Sequence, residues 1–273
     1  MLLVDSGVET DPEALAPQVY LPERQGSLQL ELVAATRRAG RLPYVLLPDT
    51  VAIEAALAAG HPVLVLQNLG SARWPRWHYA VVVGREARGG WLLRSGQTFR
   101  ERMPDRRFRA VWARAGRWAL VTLRPGDIPA YATAPAYLDA AAGLEAVGRL
   151  DEAEVAYRAA IERWPDAFAA HLGLGNLAYA RGERLAAREH YLRATTVAPA
   201  HPAGWNNLAT VLGELGCRDQ ALEALARGEA VASLAFSRDL AETRRTLEAL
   251  PADVCRFPQV VTPVSGSPRD MPP

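Results

Sequence analysis

Three stretches of the chain repeat one residue pattern 34 positions apart, and a period of that length commits a polypeptide to a repeated supersecondary unit. Tyr137, His171 and Trp205 share a phase, as do Ala140, Leu174 and Leu208, then Ala141, Gly175 and Ala209, then Gly148, Gly182 and Gly216. The second half of each unit agrees. Ala153, Ala187 and Ala221 align, followed by Tyr157, Tyr191 and Leu225, then Ala160, Ala194 and Gly228, and Pro165 and Pro199 close the first two units. Each unit holds two apolar runs at helical spacing, separated by a glycine break, which predicts helix, turn, helix. The small residues predict close approach of the paired backbones, and the aromatic phase predicts core packing. His171 shares that aromatic phase and reads as a packed histidine. No second histidine or carboxylate stands at ligand spacing on its helix, so no metal site is expected. Gly173-Leu174-Gly175 lies inside a repeat helix, the wrong context for a dinucleotide loop.

Period, small residues and terminal proline together resemble the tetratricopeptide repeat. That resemblance implies an all-α solenoid of three repeats over residues 134–250, closed by a capping helix between about Ser233 and Leu250 that uses Leu234, Phe236, Leu240 and Leu247. Its geometry would turn Leu138, Ala142 and Glu145, then Leu172, Asn176 and Tyr179, then Asn206 and Thr210, toward a groove suited to an extended peptide or partner protein. Residues 251–273, rich in proline, are expected to be a disordered tail.

A formal net charge of +1 carries no electrostatic demand for a polyanion, so no nucleic-acid partner is expected, and the arginines from Arg100 to Arg109 read as a solvated face. No cofactor motif is found. No apolar run approaches the length of a transmembrane segment, and Asp5 interrupts the apolar start before a signal-peptide core forms. Cys217 and Cys255 lie late in the chain, the second in the expected tail, and give no disulfide framework; the redox compartment stays open.

Residues 1–124 mix both periodicities. Leu28 to Ala39 and Thr50 to Ala59 read as helices. Pro43 to Leu47, Pro62 to Gln67, His78 to Gly84, Gly90 to Arg94 and Arg117 to Leu123 read as strands, an α+β order. The breakers from Pro125 to Pro135 mark the boundary with the repeats. His78 opens an apolar strand after Arg73-Trp74-Pro75-Arg76-Trp77. An imidazole there serves either as a tuned base or as a strand-end histidine bonded to a neighbouring carbonyl.

Pro12-Glu-Ala-Leu15, Gln18-Val-Tyr-Leu-Pro22, Gly26-Ser-Leu-Gln29, Leu57-Ala-Ala-Gly-His-Pro-Val-Leu-Val65 and Trp77-His-Tyr-Ala-Val-Val-Val-Gly84 together resemble the bacteriocin-processing cysteine peptidases, in the branch that carries C-terminal tetratricopeptide repeats. The resemblance implies a papain-like domain lacking its first helix, with His78 as general base and Ser95, or Gln97, in the place of the residue that orients it. It also implies a nucleophilic cysteine upstream of Thr10, where this sequence has none, so the nucleophile is expected to be absent. Related proteins look exported or envelope-associated in bacteria. Two functions follow as expectations. One is a protein–protein interaction module attached to a catalytically incomplete peptidase-like domain. The alternative is a cysteine peptidase whose nucleophile lies upstream of the given start.

Overall fold

The computed structural model describes residues 1–24, 26–96, 98–251 and 254–256. Contacts divide the chain into two compact units, Met1–Arg163 and Trp164–Pro273. An antiparallel sheet of six strands dominates the first part of the chain, and helices make up the rest.

Short helices α1 (Leu2–Asp5) and α2 (Pro12–Val19) lead into α3 (Gln29–Arg38), β1 (Leu42–Val45), α4 (Thr50–Ala58) and β2 (Val63–Asn68). Then come β3 (Trp77–Arg85), β4 (Gly90–Ser95), β5 (Thr98–Pro104), α5 (Asp105–Ala113), β6 (Ala119–Leu123), α6 (Ala134–Ala146) and α7 (Leu150–Arg163). The helix starts are coded locally. Asp11 accepts a hydrogen bond from Ala14 N at 2.8 Å, and Asp49 accepts one from Ala52 N at 2.7 Å, so each caps its helix. The strand order is β1-β6-β2-β3-β4-β5, with antiparallel neighbours throughout.

The arginines from Arg100 to Arg109 are solvent-exposed, as expected of a solvated face, and they lie on β5 and α5, two elements the sequence reading does not include. Phe108, Val111 and Trp112 fall at helical spacing and are buried, while the intervening arginines stay outside. Trp91 on β4 stacks on Phe108, with ring centroids 4.6 Å apart, and Phe108 stacks on Trp112 at 5.8 Å. Asp105 ties this layer together. Its carboxylate accepts from the Trp91 indole at 2.8 Å, from Arg109 at 2.6 Å and from Arg85 at 3.0 Å. The hydrogen bond from Arg109 is the largest of the effects holding its carboxyl below the ordinary range. Asp105→Ala leaves the buried Trp91 N–H without this acceptor, and a loss of about 1–3 kcal/mol is expected in urea denaturation. Because the folded pKa is depressed, the carboxylate's contribution is complete above the unfolded value of about 4. It fades as pH falls through the lower folded value. An Asp105→Ala variant matching the parent at pH 7 would contradict this assignment.

The linker after β6 is pinned. Gly126 N donates to the Tyr137 hydroxyl at 3.1 Å, Thr133 N to the Tyr44 hydroxyl at 3.0 Å, and the Tyr131 hydroxyl lies 2.7 Å from His61 Nδ1. Burial pushes the Tyr137 phenol up to about 12.

The second unit comprises α8 (Phe168–Ala180), α9 (Arg184–Val197), α10 (Pro202–Glu214), α11 (Arg218–Val231) and α12 (Ser237–Glu248). Each 34-residue period therefore carries one helix pair: α6–α7, α8–α9 and α10–α11. Gly148, Gly182 and Gly216 end the first helix of each pair at φ of 77°, 79° and 78°, a left-handed conformation that other residues enter at a cost. At Gly175 a Cβ would stand 2.4 Å from the Tyr191 ring, so glycine is what lets α8 and α9 close together. The shared aromatic phase also has a polar task. His171 Nε2 donates to Pro165 O and Trp205 Nε1 to Pro199 O, each at 2.8 Å, tying the second and third helix pairs to the loops before them.

Helix α12 buries Leu240 and Leu247, with Leu247 over Gly213 of α10 and Leu240 beside Gly228 of α11. Leu234, expected in this cap, is 95% exposed, because it falls in the bend before the helix rather than on its inner face. Cys217 and Cys255 are disulfide-bonded, contrary to the expectation of no framework. The chain after α12 turns back onto α11. Val254 N donates to Gly216 O at 3.1 Å, and the Gln220 amide approaches Cys255 Sγ at 3.2 Å. The rest of the expected disordered tail, apart from Pro251 and residues 254–256, lies outside the described residues.

Candidate functional site

Among the candidate groove residues, α6 carries Leu138 and Glu145 in the first unit. Leu138 is buried, and Glu145 accepts the Tyr157 hydroxyl at 2.8 Å. In the second unit Leu172, Asn176 and Tyr179 on α8, and Asn206 and Thr210 on α10, are all half-buried.

The amides and hydroxyls fall into three hydrogen-bonded groups. Asn176 Oδ1 accepts from the Tyr191 hydroxyl at 3.1 Å and from Asn207 Nδ2 at 3.2 Å. Tyr179 donates to Glu214, which also pairs with Arg184, and the Arg184 guanidinium lies 4.0 Å from the Tyr179 ring centroid. Hydrogen bonding to Glu214 is the main effect raising the Tyr179 phenol pKa. Asn206 Oδ1 accepts from the Thr243 hydroxyl of α12 at 2.9 Å, while Thr210 Oγ1 donates to Asn206 O at 3.0 Å. Asn206 and Thr210 thus meet at a cavity of about 380 Å³ between α10 and α12. Its far wall carries Thr243, Thr246, Leu247 and Leu250, with Asp239 and Glu242 also lining it. The 34-residue phase puts Asn206 and Thr210 at a surface but does not extend to the α12 wall opposite them. The hydroxyl and acidic residues spaced along Ser237–Glu248 were the available signal.

A second assembly lies in the first unit. His78 Nε2 and Ser95 Oγ are 2.8 Å apart, so the two candidates from β3 and β4 do meet. Strand pairing brings them together, since β3 and β4 run antiparallel with Val82 opposite Leu93. His78 also borders a cavity of about 770 Å³, together with Ser27, Gln29, Trp77 and Tyr79. Burial pushes the Tyr79 phenol up to about 12. Among the described residues no thiol is free: the two cysteines are bonded to each other and belong to the second unit. Gln97, the other candidate for orienting His78, lies outside the described residues. Among the described residues no cluster of histidine, cysteine or carboxylate side chains is suited to a metal ion, and no helix is long and apolar enough to cross a membrane.

A family model, the Est1 DNA/RNA binding domain, matches residues 153–216, from α7 to the turn after α10. No curated protein matches the chain. This finding corrects the resemblances drawn from the sequence, since neither a peptidase family nor a tetratricopeptide family is found. The physical reason lies in what those motifs encode. Trp77-His-Tyr-Ala-Val-Val-Val-Gly84 is the composition of a long, half-buried strand, and the small residues near Gly175 satisfy close helix packing. Both demands are general and single out no family. The exclusion of nucleic acid as a partner class is overturned by the same match.

Proposed function

We propose that the helical unit is an interaction module that takes an extended polypeptide segment along α8 and α10, ending at the cavity beneath α12. The observation that carries this reading is the pairing of half-buried amides and hydroxyls, at Asn176, Asn206 and Thr210, with a recess of about 380 Å³ that has both apolar and hydrogen-bonding walls. Such a mixture suits a peptide backbone plus one inserted side chain. Asn176 and Asn206 bond to other side chains, whereas Thr210 bonds to a carbonyl of its own helix, so Thr210 is the cleaner handle.

A second reading, nucleic-acid binding by residues 153–216, is favoured by the match to the Est1 DNA/RNA binding domain. Local electrostatics weigh against it. Arginines and carboxylates balance in number across that segment, and Arg158 and Arg184 are engaged by Glu154 and Glu214. A phosphate grip needs cations not already neutralised.

One experiment separates the two. The full chain is applied to a random peptide array and, in parallel, titrated with a labelled 20-mer duplex and its single strand. The expected result is peptide capture that Thr210→Trp, which fills the recess, weakens about tenfold or more with the melt unchanged. Peptide capture indifferent to Thr210→Trp would sink the groove reading. Oligonucleotide binding lost in Arg193→Glu would establish the second in its place.

A further inference from the structure

One end of the sheet displays aromatic rings and arginines that the fold itself does not use. Trp74 is 78% exposed, Trp77 59% and Phe99 78%. Strand pairing gathers them. Trp77 begins β3 opposite Asn68 at the end of β2, and Ser95 at the end of β4 pairs with Thr98 next to Phe99. The Arg94 guanidinium lies 5.9 Å from the Phe99 ring centroid. Arg73, Arg76 and Arg100 enter the same end of the molecule and make no ion pair among the described residues.

The loop that carries Trp74 is held firmly, although its largest side chain points into solvent. Asn68, almost fully buried, accepts from Gly70 N at 2.9 Å and from Arg76 N at 3.0 Å, and donates to Ser71 O at 3.2 Å. Ser71 Oγ accepts from Trp74 N at 3.1 Å, and Arg114 clamps Asn68 O at 3.0 Å. At Gly70 a Cβ would stand 2.1 Å from Trp74 O, so no other residue fits the turn. Holding the backbone that presents an exposed tryptophan removes part of the ordering cost otherwise met on binding. Beside the loop lies the cavity of about 770 Å³ bordered by Trp77 and Tyr79, with Ser27, Gln29 and His78 supplying hydrogen-bonding groups.

From this arrangement we infer that the loop and the adjoining strand ends bind single-stranded nucleic acid. Bases stack on Trp74, Trp77 and Phe99, phosphates meet Arg73, Arg76 and Arg100, and one base enters the recess beside Tyr79. Charge complementarity selects a polyanion, and flat, exposed rings beside a recess with polar groups select unpaired bases. An anionic membrane fits less well, because the loop tip between Gly70 and Trp77 offers no aliphatic side chain larger than Ala72 and Pro75 for insertion among acyl chains. None of these residues belongs to the helical segment that matches the Est1 domain, and the inference stands independently of that match.

The test titrates the full chain with a fluorescein-labelled oligo-dT 20-mer, following anisotropy at several salt concentrations. A 20-mer duplex and vesicles containing phosphatidylserine serve as comparison ligands. The single strand is expected to bind in preference to both. Trp74→Ala, at an exposed position, should weaken it about tenfold, and Trp77→Ala by as much or more. Arg73→Ala with Arg76→Ala should flatten the salt dependence by roughly 0.7 for each phosphate no longer neutralised. Arg193→Glu in the helical unit should leave affinity unchanged, which separates this site from one on residues 153–216. Thermal melts check that the variants fold, and Trp77→Phe should recover most of the affinity that Trp77→Ala removes. The inference is overturned by vesicle binding stronger than oligonucleotide binding, by the absence of single-strand binding, or by affinity indifferent to Trp74→Ala and the paired arginine change.

Discussion

Trp91→Ala is expected to remove about 3–5 kcal/mol from the stability of the sheet-bearing unit, the range for deleting a large aromatic from a packed core. Trp91 is fully buried and touches its surroundings in three ways. It stacks on Phe108, donates its indole N–H to Asp105, and lies under the Arg85 guanidinium at 4.2 Å from the ring centroid. Since Phe108 in turn stacks on Trp112, the cavity left by alanine would loosen the packing of β4 on α5. A domain typically holds about 5–15 kcal/mol, so this single change removes much of it. Trp91→Phe keeps the stack and loses the hydrogen bond, and about 1–2 kcal/mol is expected. Trp74→Ala, exposed at the other end of the sheet, should stay within about 0.5 kcal/mol of the parent. Urea denaturation followed by circular dichroism gives all three values. If Trp91→Ala lay within about 1 kcal/mol of the parent, the stacked layer would not be the core of this unit.

The parts of the fold that could be read from sequence are those fixed by local periodicity. The alternation from Trp77 to Gly84 marks β3, and the 34-residue phases mark three helix pairs, because each pattern follows from one strand or one helix face. What escaped is either masked locally or depends on neighbours distant in sequence. Helix α5 was hidden by arginines that occupy its outer face, although Phe108, Val111 and Trp112 carried its inner one. The meeting of His78 with Ser95 depends on a register that shifts between Val82 and Gly84, and no count along the chain supplies such an irregularity. Family assignment failed for a related reason. A half-buried strand and a tight helix pair each force residue choices, so agreement at those positions reports packing rather than descent. Residues outside that coercion are more informative: the exposed Trp74, and the half-buried Asn206 and Thr210 at the α12 cavity.

The Cys217–Cys255 bond shows the same limit of local reading, and it carries the second large expected effect. The two residues are 38 positions apart, and the bond encloses all of α11 and α12. Closing a loop of that length withdraws about 4 kcal/mol of chain entropy from the unfolded state. Reduction, or Cys255→Ala, is therefore expected to destabilise α10 to α12 by about that amount. Cys255→Ala is the better variant, because Cys217 is buried and its replacement would add a packing defect. Release of the bond also frees Val254 from Gly216, and with it the chain that follows Leu250 in the wall of the α10–α12 cavity. Hydrogen exchange should thus rise in peptides from α11 and α12 on adding reductant, while peptides from α3 and α4 keep their protection. In Cys255→Ala the exchange should be high from the start and insensitive to reductant. Two free thiols in the unfolded, unreduced protein would rule the bond out. Exchange unchanged by reductant in a chain shown to be bonded would mean that Leu240, Leu247 and the polar contacts of Thr243 and Arg244 hold α12 in place without the bond.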